Sequence, residues 1–301
     1  MLNQEQLEHS FSYSYAMSTV REYLDNQVMT SALLRLYEWA DRDDHYDSKR
    51  IQLQTILKQQ NLLDEIAMRI ITLVAGMGKP NLNTIIGCVS PWLEKRLDDD
   101  HPRTMKRVGE ITAILCEADV LNAELVDVPN EPKEDDYEDE DDFYTKGTHE
   151  EILISLNNLE LPLEVKVQLS AVGYIPCMFE APNRVKHMHD SPYVVHQSES
   201  LVNSRAEPNL PINAEALNLV AGIRYKLAQD FMDTVTFESK NKHHALATMA
   251  AIDLIGDREF FLPAYFDTRS RQYARGWQIN YQGADSHKAM ISFADELPIT
   301  L

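Results

Sequence analysis

Apolar residues recur at helical spacing through the first 126 residues of the chain. Two stretches, residues 61–78 and 104–121, show the pattern clearly, and Gly78 and Pro80 predict the end of the first one. In residues 18–40 the apolar stripe consists of Val20, Leu24, Val28, Leu33, Leu34 and Tyr37. The pattern therefore predicts a helical N-terminal domain over residues 1–126.

The second half of the chain mixes helical and strand patterns. Asn213 is placed to cap a helix whose apolar stripe runs from Ala216 to Phe231, and residues 243–256 predict a second helix. Residues 259–266 and 271–283 are aromatic and β-branched, which predicts strands, and Asp285 is placed to open a short helix through residues 286–294. Residues 176–211 lack periodicity. We predict an α+β protein, predominantly α-helical.

Charge is unevenly distributed along the chain. The sequence holds 48 Asp and Glu against 28 Lys and Arg, a net charge of −20, and residues 131–142 alone contain nine acids and one lysine. Dense like charge with low hydrophobicity predicts a linker or loop over 127–147, and we favour this over a DNA-mimicking or partner-binding acidic segment. The sequence thus predicts a domain boundary there, followed by a domain over 148–301.

The sequence also predicts a cellular compartment. Cys88, Cys116 and Cys177 fit no zinc or redox spacing, so we expect buried, reduced thiols. The first residues are neither basic nor apolar, and no stretch reaches the roughly 20 apolar residues that a membrane crossing needs. These features predict a soluble protein of a reducing cytoplasm, without a secretory signal.

Two candidate ligand sites have simpler interpretations. Residues 74–80, VAGMGKP, resemble a phosphate-binding loop, but Leu73 and Pro80 stand where that loop needs glycine and a hydroxyl residue, so we predict a turn that ends a helix. Histidines 187, 189 and 196 with Cys177 match no known zinc spacing, and we expect no metal there. No nucleophile with a suitable base is evident, so we predict no catalytic residue in this chain.

The stretch 266–277, FDTRSRQYARGW, concentrates positive charge in an acidic protein. Arginine forks bind phosphate bidentately, and alternate residues of a strand share a face, so Arg269, Arg271 and Arg275 are predicted to line one side of a groove, with Tyr273 facing the other side. The alternative is that these arginines pair with surface acids.

The longer stretch 262–288 resembles the block at the entrance to the palm of single-subunit RNA polymerases of phage and mitochondrial type. That block has Asp-x-x-Gly-Arg, then Tyr-Ala, then Gln-Gly-x-Asp and a lysine. The matching positions are Leu262, Pro263, Asp267, Arg269, Arg271, Tyr273, Ala274, Gln282, Gly283, Asp285 and Lys288. Upstream, residues 216–224 resemble a helix of the same family, with Arg224 in a matching position. The resemblance covers about residues 213–301.

The resemblance implies roles for particular residues. Arg269 and Arg271 would contact the template strand and the growing RNA, and Asp267 would orient them. Lys288 would lie near the template, and Arg224 would touch the nucleic-acid backbone. Ser270 replaces the family's glycine, which puts the tight turn in doubt. The family's long thumb hairpin would fall near residues 235–241, where little chain is available, so we expect a reduced thumb-like region.

The family's metal-binding aspartates lie downstream of this block, and residues 289–301 contain no matching pair. The resemblance implies a split enzyme, similar to the two-subunit RNA polymerases of Enquatrovirus-type phages. A second subunit would supply the remaining palm, the fingers and the aspartates that bind Mg²⁺, and the pair would transcribe DNA in the cytoplasm of an infected bacterium.

A shared palm predicts an apolar partner interface, and we expect it to include Trp277, Ile279, Met290, Ile291 and Phe293. The other expected partners are the DNA template, the RNA–DNA hybrid and a factor that delivers single-stranded DNA; we expect no membrane partner. Two alternatives stay open: a non-catalytic DNA-binding or regulatory protein derived from such a polymerase, and a helical scaffold whose arginines form surface ion pairs.

Overall fold

The computed structural model describes residues 2–98, 100–129, 148–172, 174, 176–187, 189–195, 213–232, 242–267 and 269–295. The chain forms two compact units. Unit 1 combines Met1–Ala16 with Ser170–Leu301, and unit 2 is Met17–Leu169. Helices dominate and short antiparallel strands accompany them, which confirms the predicted α+β, predominantly helical class.

Helices form most of unit 2, as the apolar periodicity predicts. The helices from the N-terminus onward are α1 (Gln4–Ser10, in unit 1), α2 (Tyr13–Tyr23, across the division), α3 (Asn26–Ala40), α4 (Asp47–Lys58), α5 (Leu62–Met77), α6 (Leu82–Leu97) and α7 (His101–Glu117). Helix α5 is the most buried, because apolar side chains lie on most of its surface. It ends at Gly78, whose φ of 81° suits glycine, so VAGMGKP is the predicted helix-ending turn.

The predicted helix over residues 18–40 is in fact two helices. Asp25 interrupts it, because its carboxylate accepts hydrogen bonds from the backbone N–H groups of Gln27 and Val28 and so caps α3. The break rotates the buried face of α3. Val28 and Leu34 are consequently exposed, and the residues that α3 buries are Met29, Ala32, Leu36 and Ala40.

Unit 2 also contains strands that the helical pattern did not predict. Strand β1 (Leu121–Pro129) pairs antiparallel with β2 (Thr148–Leu156), in a register that joins Leu121 to Leu156 and Pro129 to Thr148. The strands flank the acidic stretch, so both ends of that stretch belong to one unit and the predicted domain boundary differs from the division at Leu169. The acidic residues 130–147 themselves lie outside the described residues.

Unit 1 contains short helices and two small sheets. After α8 (Leu163–Ser170), which ends at the division, come α9 (Ala214–Ala221), β3 (Arg224–Leu227), α10 (Gln229–Met232), α11 (Lys242–Ile255), β4 (Phe260–Phe261), β5 (Ala264–Phe266), β6 (Gln272–Ala274), α12 (Asp285–Ala289) and β7 (Ile291–Phe293). One sheet has the strand order β4-β3-β7, and β5 pairs with β6 in a hairpin. The predicted thumb position, residues 235–241, is outside the described part.

Two predicted helices of unit 1 are shorter than their apolar patterns indicate. Asn213 caps α9 as expected, by accepting a hydrogen bond from the N–H of Ala216, but the helix ends at Ala221 and the chain continues as strand β3. Residues 291–293 likewise form β7 instead of extending α12. Both segments pair in one sheet, so tertiary pairing prevails over local helical spacing.

The core of unit 1 contains most of the apolar residues predicted for a partner interface. Trp277, Ile279 and Met290 are buried within the chain, at 7%, 1% and 0% exposure. Trp277 packs edge-on against Phe11, at 5.5 Å between ring centroids. The assignment of these three residues to a partner surface is therefore wrong, because they already pack in the chain's own core. Ile291 is partly exposed and Phe293 is 64% exposed.

Candidate nucleic-acid interface

The tip of the β5–β6 hairpin holds the predicted arginine cluster. The strands pair Ala264 with Ala274 and Phe266 with Gln272, so residues 267–271 form the connecting loop. The backbone N–H of Asp267 donates to the carbonyl of Arg271 at 2.9 Å, and the N–H of Ser270 donates to the carbonyl of Asp267 at 2.9 Å. The loop is therefore closed by its own backbone.

Asp267 organises this loop with its carboxylate. Oδ1 accepts hydrogen bonds from the backbone N–H groups of Arg269 and Arg271, each at 2.9 Å. Oδ2 accepts from Nε of Arg271 at 2.7 Å, and Nη2 of Arg271 lies 2.6 Å away. Asp267 thus holds both the turn and the guanidinium of Arg271; the resemblance implied that it orients the arginines.

The charge state of Asp267 follows from these contacts. Desolvation acts to raise its pKa, but hydrogen bonds from the backbone and the guanidinium of Arg271 outweigh this effect, and the net pKa lies below the usual value. The carboxylate is therefore ionised at neutral pH and holds the arginine as a charge-assisted pair.

Arg269 and Arg271 are presented to solvent. Their side chains are 66% and 51% exposed, and Nε of Arg269 lies 3.7 Å from Oδ2 of Asp267. The contacts with Asp267 use Nε and Nη2 of Arg271, so donors of its fork stay available on the outer side. The loop carries two arginines and one aspartate over 267–271 and therefore one net positive charge.

Two stacked tyrosines lie behind the loop. Tyr265 and Tyr273 are cross-strand partners, with ring centroids 5.5 Å apart and planes at 23°. The guanidinium carbon of Arg271 lies 5.5 Å from the Tyr273 ring centroid, and that of Arg275 lies 4.5 Å from the Tyr265 ring centroid. Arginine and tyrosine thus alternate along the hairpin in favourable cation–π contact.

This arrangement corrects two sequence predictions. Arg275 is only 7% exposed, so it does not share an open face with Arg269 and Arg271. Strand β6 ends at Ala274, and the N–H of Arg275 donates to the carbonyl of Pro263 at 2.7 Å, which continues the backbone pairing of the hairpin by one residue. Tyr273 does not face away from the arginines either, since its ring lies beside Arg271.

Gln282 ties the hairpin to the segment that follows it. Its Oε1 accepts a hydrogen bond from the N–H of Ala274 at 2.6 Å, and its Nε2 donates to the carbonyl of Gln272 at 3.1 Å. A β-carbon on Gly276 would lie 2.5 Å from the carbonyl oxygen of Ile279, so this position requires glycine. Within residues 262–288, positions that are far apart in sequence are therefore in direct contact.

Ser270 adopts the backbone conformation that favours glycine. Its φ is 61°, in the left-handed region, which costs a non-glycine residue roughly 1–2 kcal/mol. The resembled polymerase block has glycine at this position. The serine therefore retains a tight turn, and the Asp267 contacts on both sides of it hold the strained conformation.

The remaining predicted nucleic-acid residues lie on other elements. Lys288 is on α12, 48% exposed, with Nζ 3.0 Å from Oδ1 of Asp285. Arg224, on β3, is paired through Nη1 with Glu259 at 2.8 Å and through Nη2 with Asp295 at 2.5 Å. Arg224 thus links three segments of unit 1 through two ion pairs.

The sequence analysis identified neither Tyr265 nor the hydrogen bonds that Gln282 makes to β6. Tyr265 could have been found from symmetry, because residues 265 and 273 are equally distant from Arg269 at the centre of the turn. Gln282 was recognised as part of the block, but its hydrogen bonds to β6 depend on how the chain returns after residue 276. Spacing alone does not specify that return.

The predicted cysteine and histidine chemistry has a simple structural outcome. The three cysteines are free; Cys177 is buried, Cys116 is intermediate and Cys88 is exposed, so burial was predicted wrongly for Cys88. Burial raises the pKa of Cys177 to about 12, so its thiol is protonated at neutral pH. Across the described residues, no three His, Cys, Asp or Glu side chains form a group able to hold a metal ion. His196 is outside those residues.

No protein-family model matches the chain, and no curated protein matches it in sequence. Within the described residues, no helix has the length and apolar character that crossing a membrane requires.

Proposed function

We propose that this chain is the nucleic-acid-contacting subunit of a phage-type, DNA-directed RNA polymerase that consists of two different chains. The observation that carries the proposal is the contact network of the β5–β6 hairpin. Asp267, Arg271 and Gln282 match the polymerase block by spacing; Asp267 binds Arg271 at the tip of the hairpin, and Gln282 hydrogen-bonds to the backbone of Ala274 and Gln272 in β6. These contacts give a structural reason for the spacing of the matching residues.

The hairpin is suited to binding a phosphate backbone. Arg271 is held by Asp267 on one side, and its remaining N–H donors point away from that contact, so a phosphate can be bound without first ordering a flexible side chain. Arg269 adds a second exposed charge at the same tip. By resemblance, the bound strands are the template and the RNA of the hybrid.

Phosphoryl transfer in this family requires two Mg²⁺ ions held by aspartates. No three His, Cys, Asp or Glu side chains of the described residues are grouped so that they could hold a metal ion, and we derive no metal-dependent step in this chain. In the proposal, a second subunit supplies those aspartates together with the fingers and the remaining palm. This chain then positions the nucleic acid and is not catalytic alone, and the complex works in the cytoplasm of an infected bacterium.

A second candidate is a stand-alone DNA-binding or regulatory protein. The hairpin is closed by contacts within this chain, so its arginine tip does not depend on a partner for its geometry. Binding of nucleic acid by the isolated chain, without any effect on RNA synthesis by a second subunit, would favour this candidate.

The nucleic-acid contact is tested by binding of a fluorescently labelled RNA–DNA hybrid to the full chain, followed by anisotropy over a salt series. We expect Arg271→Ala to weaken binding about tenfold and to reduce its salt dependence, because a charge-assisted phosphate contact is lost. Arg271→Lys should bind with intermediate affinity, since lysine keeps the positive charge but lacks the paired N–H donors of the guanidinium.

Arg184→Ala is the matched control. Arg184 is an exposed arginine of the same unit, 68% exposed and paired with Glu215, and its removal changes the net charge equally. Little change in affinity is expected for this variant. Equal losses for Arg271→Ala and Arg184→Ala would show that only net charge matters, and the hairpin assignment would then be wrong.

A further inference from the structure

The hairpin of β1 and β2 in unit 2 has an open edge. Strand β1 is nine residues long, and β2 is its only strand neighbour in the described part of the chain. The outer edge of β2 is partly covered, because the N–H of Ile154 donates to the carbonyl of Pro80 at 2.9 Å. Within the described residues, no backbone hydrogen bond occupies the outer edge of β1, so its backbone groups are available there to pair with another strand.

One face of this hairpin is neutralised by the chain itself. Glu124 lies 3.1 Å from Nζ of Lys79. Glu151 accepts hydrogen bonds from His149 at 3.2 Å and from Nδ2 of Asn81 at 3.2 Å, and these contacts lower its pKa. The acids of this face consequently have partners within unit 2.

The opposite face is buried at one end, where Leu121 and Ile154 are each 2% exposed, and is open towards Pro129 and Thr148. Leu125 and Ile152 are cross-strand partners, 62% and 40% exposed. The next pair on the same face is Asp127 opposite Glu150, and like charges directly opposite each other destabilise a sheet. Among the described residues, neither carboxylate has a hydrogen bond or an ion pair. An exposed apolar pair thus lies beside an acidic pair that no basic side chain of the described residues neutralises.

We propose that the open edge of β1 binds a β-strand of a partner protein in which basic and apolar residues alternate along one face. The added strand would pair with the backbone of β1 and place an apolar side chain beside Leu125 and a lysine or arginine beside Asp127. The basic residue would relieve the repulsion between Asp127 and Glu150. This inference is independent of the function proposed for the arginine hairpin.

Charge argues against a second copy of this chain as the occupant. Pairing of two β1 strands would bring Glu124 and Asp127 of both copies together, and each copy carries a net charge of −20. Repulsion between like charges across an interface costs several kcal/mol. A basic strand has the complementary charge for this edge.

The test uses the full chain and the labelled peptide Lys-Thr-Val-Thr-Lys-Thr-Val-Thr-Lys, whose extended form places Lys and Val on one face. A second peptide of the same composition, with its lysines in one block, is the control. We expect fluorescence anisotropy to show that the alternating peptide binds at least about tenfold more tightly. Equal binding of the two peptides would overturn the proposal, because charge alone would then explain binding.

Variants locate the site. Replacement of both Leu125 and Ile152 by Thr keeps strand propensity but removes the apolar pair, and Asp127→Lys reverses the charge; each should weaken binding of the alternating peptide about tenfold. Glu38→Lys, on an exposed position of α3, makes the same charge change and should leave binding unaltered. Circular dichroism verifies folding.

Two results would contradict the proposal. Binding that is unchanged in both the double threonine variant and Asp127→Lys would place the peptide elsewhere. Self-association of the wild-type chain in sedimentation experiments, abolished by the double threonine variant, would identify a second copy as the occupant.

Discussion

Asp267 is the residue on which the candidate site depends. It accepts hydrogen bonds from two backbone N–H groups and from the guanidinium of Arg271, so a negative charge organises a positive surface. An orienting role for it was implied by the resemblance to the polymerase block, in which an aspartate precedes the arginine. The contacts to the loop backbone could not be predicted, since they depend on the left-handed turn at Ser270.

Asp267→Asn distinguishes orientation from simple charge. The substitution raises the net charge by one, and charge alone would strengthen binding of nucleic acid. We expect weaker binding of the RNA–DNA hybrid, by about threefold to tenfold, because Arg271 loses its charge-assisted contact and its fixed direction. Anisotropy measurements on wild type and variant decide between the orienting role and a simple effect of net charge. Tighter binding by Asp267→Asn would contradict the orienting role.

The lowered pKa of Asp267 predicts how acid affects the hairpin. A folded-state pKa below the unfolded value means that the carboxylate contributes stability above the unfolded pKa, about 3.9, and that this contribution is lost as the pH falls through the folded value. The stability difference between wild type and Asp267→Asn should therefore be constant above about pH 5 and shrink below about pH 4. Thermal unfolding at several pH values measures it; a difference that grows in acid would have the wrong sign.

At the scale of secondary-structure elements, periodicity predicted the helices whose packing agrees with their local pattern. Helices α5 and α11 are present, and Gly78 and Gly256 end them as expected. The predictions were wrong where distant contacts decide the outcome. The segment 224–227 has helical spacing but pairs with β4 and β7, and β1 is stabilised by β2, which follows it at a distance.

The loop after β6 gives a prediction at the element scale. Gly276→Ala should destabilise unit 1 by about 1–3 kcal/mol, because the new β-carbon would lie 2.5 Å from the carbonyl oxygen of Ile279 and 2.8 Å from Cδ2 of Leu262. Gly87→Ala is the control: apart from its chain neighbours and the adjacent backbone of its own helix, no atom lies within 4 Å of the position that its β-carbon would take, and alanine should stabilise α6 by about 0.5–1 kcal/mol. Urea unfolding followed by circular dichroism compares the variants, and equal stabilities would refute the packing argument.

At the scale of the whole molecule, composition identified the acidic stretch, but it did not predict where the chain divides into its two compact units. Residues 131–142 carry much of the negative charge, yet the strands on both sides of them pair within unit 2. Trp277 and Met290 show a similar effect: the shared palm implied by the resemblance assigned them to a partner surface, but they pack in the core of unit 1. Burial of this kind depends on three-dimensional contacts that no local pattern specifies.

Phe293 is the residue of the predicted interface that the structure leaves most exposed. It lies on β7 and stacks on Tyr225, with ring centroids 5.7 Å apart, while 64% of its surface is accessible. If a second subunit covers this strand, Phe293→Ser should weaken association of the two chains without unfolding this one. We expect Trp277 to be unsuitable for such a test, because its replacement would disrupt the core.

The measurement that tests the central claim most directly is RNA synthesis by this chain assembled with a second subunit. The candidate is the product of the neighbouring reading frame, which should contain the metal-binding aspartates. The co-purified pair should extend RNA on a DNA template, and Arg271→Ala should abolish most of that synthesis while the pair stays assembled and Arg184→Ala retains full activity. Normal elongation by the Arg271→Ala pair would contradict the account.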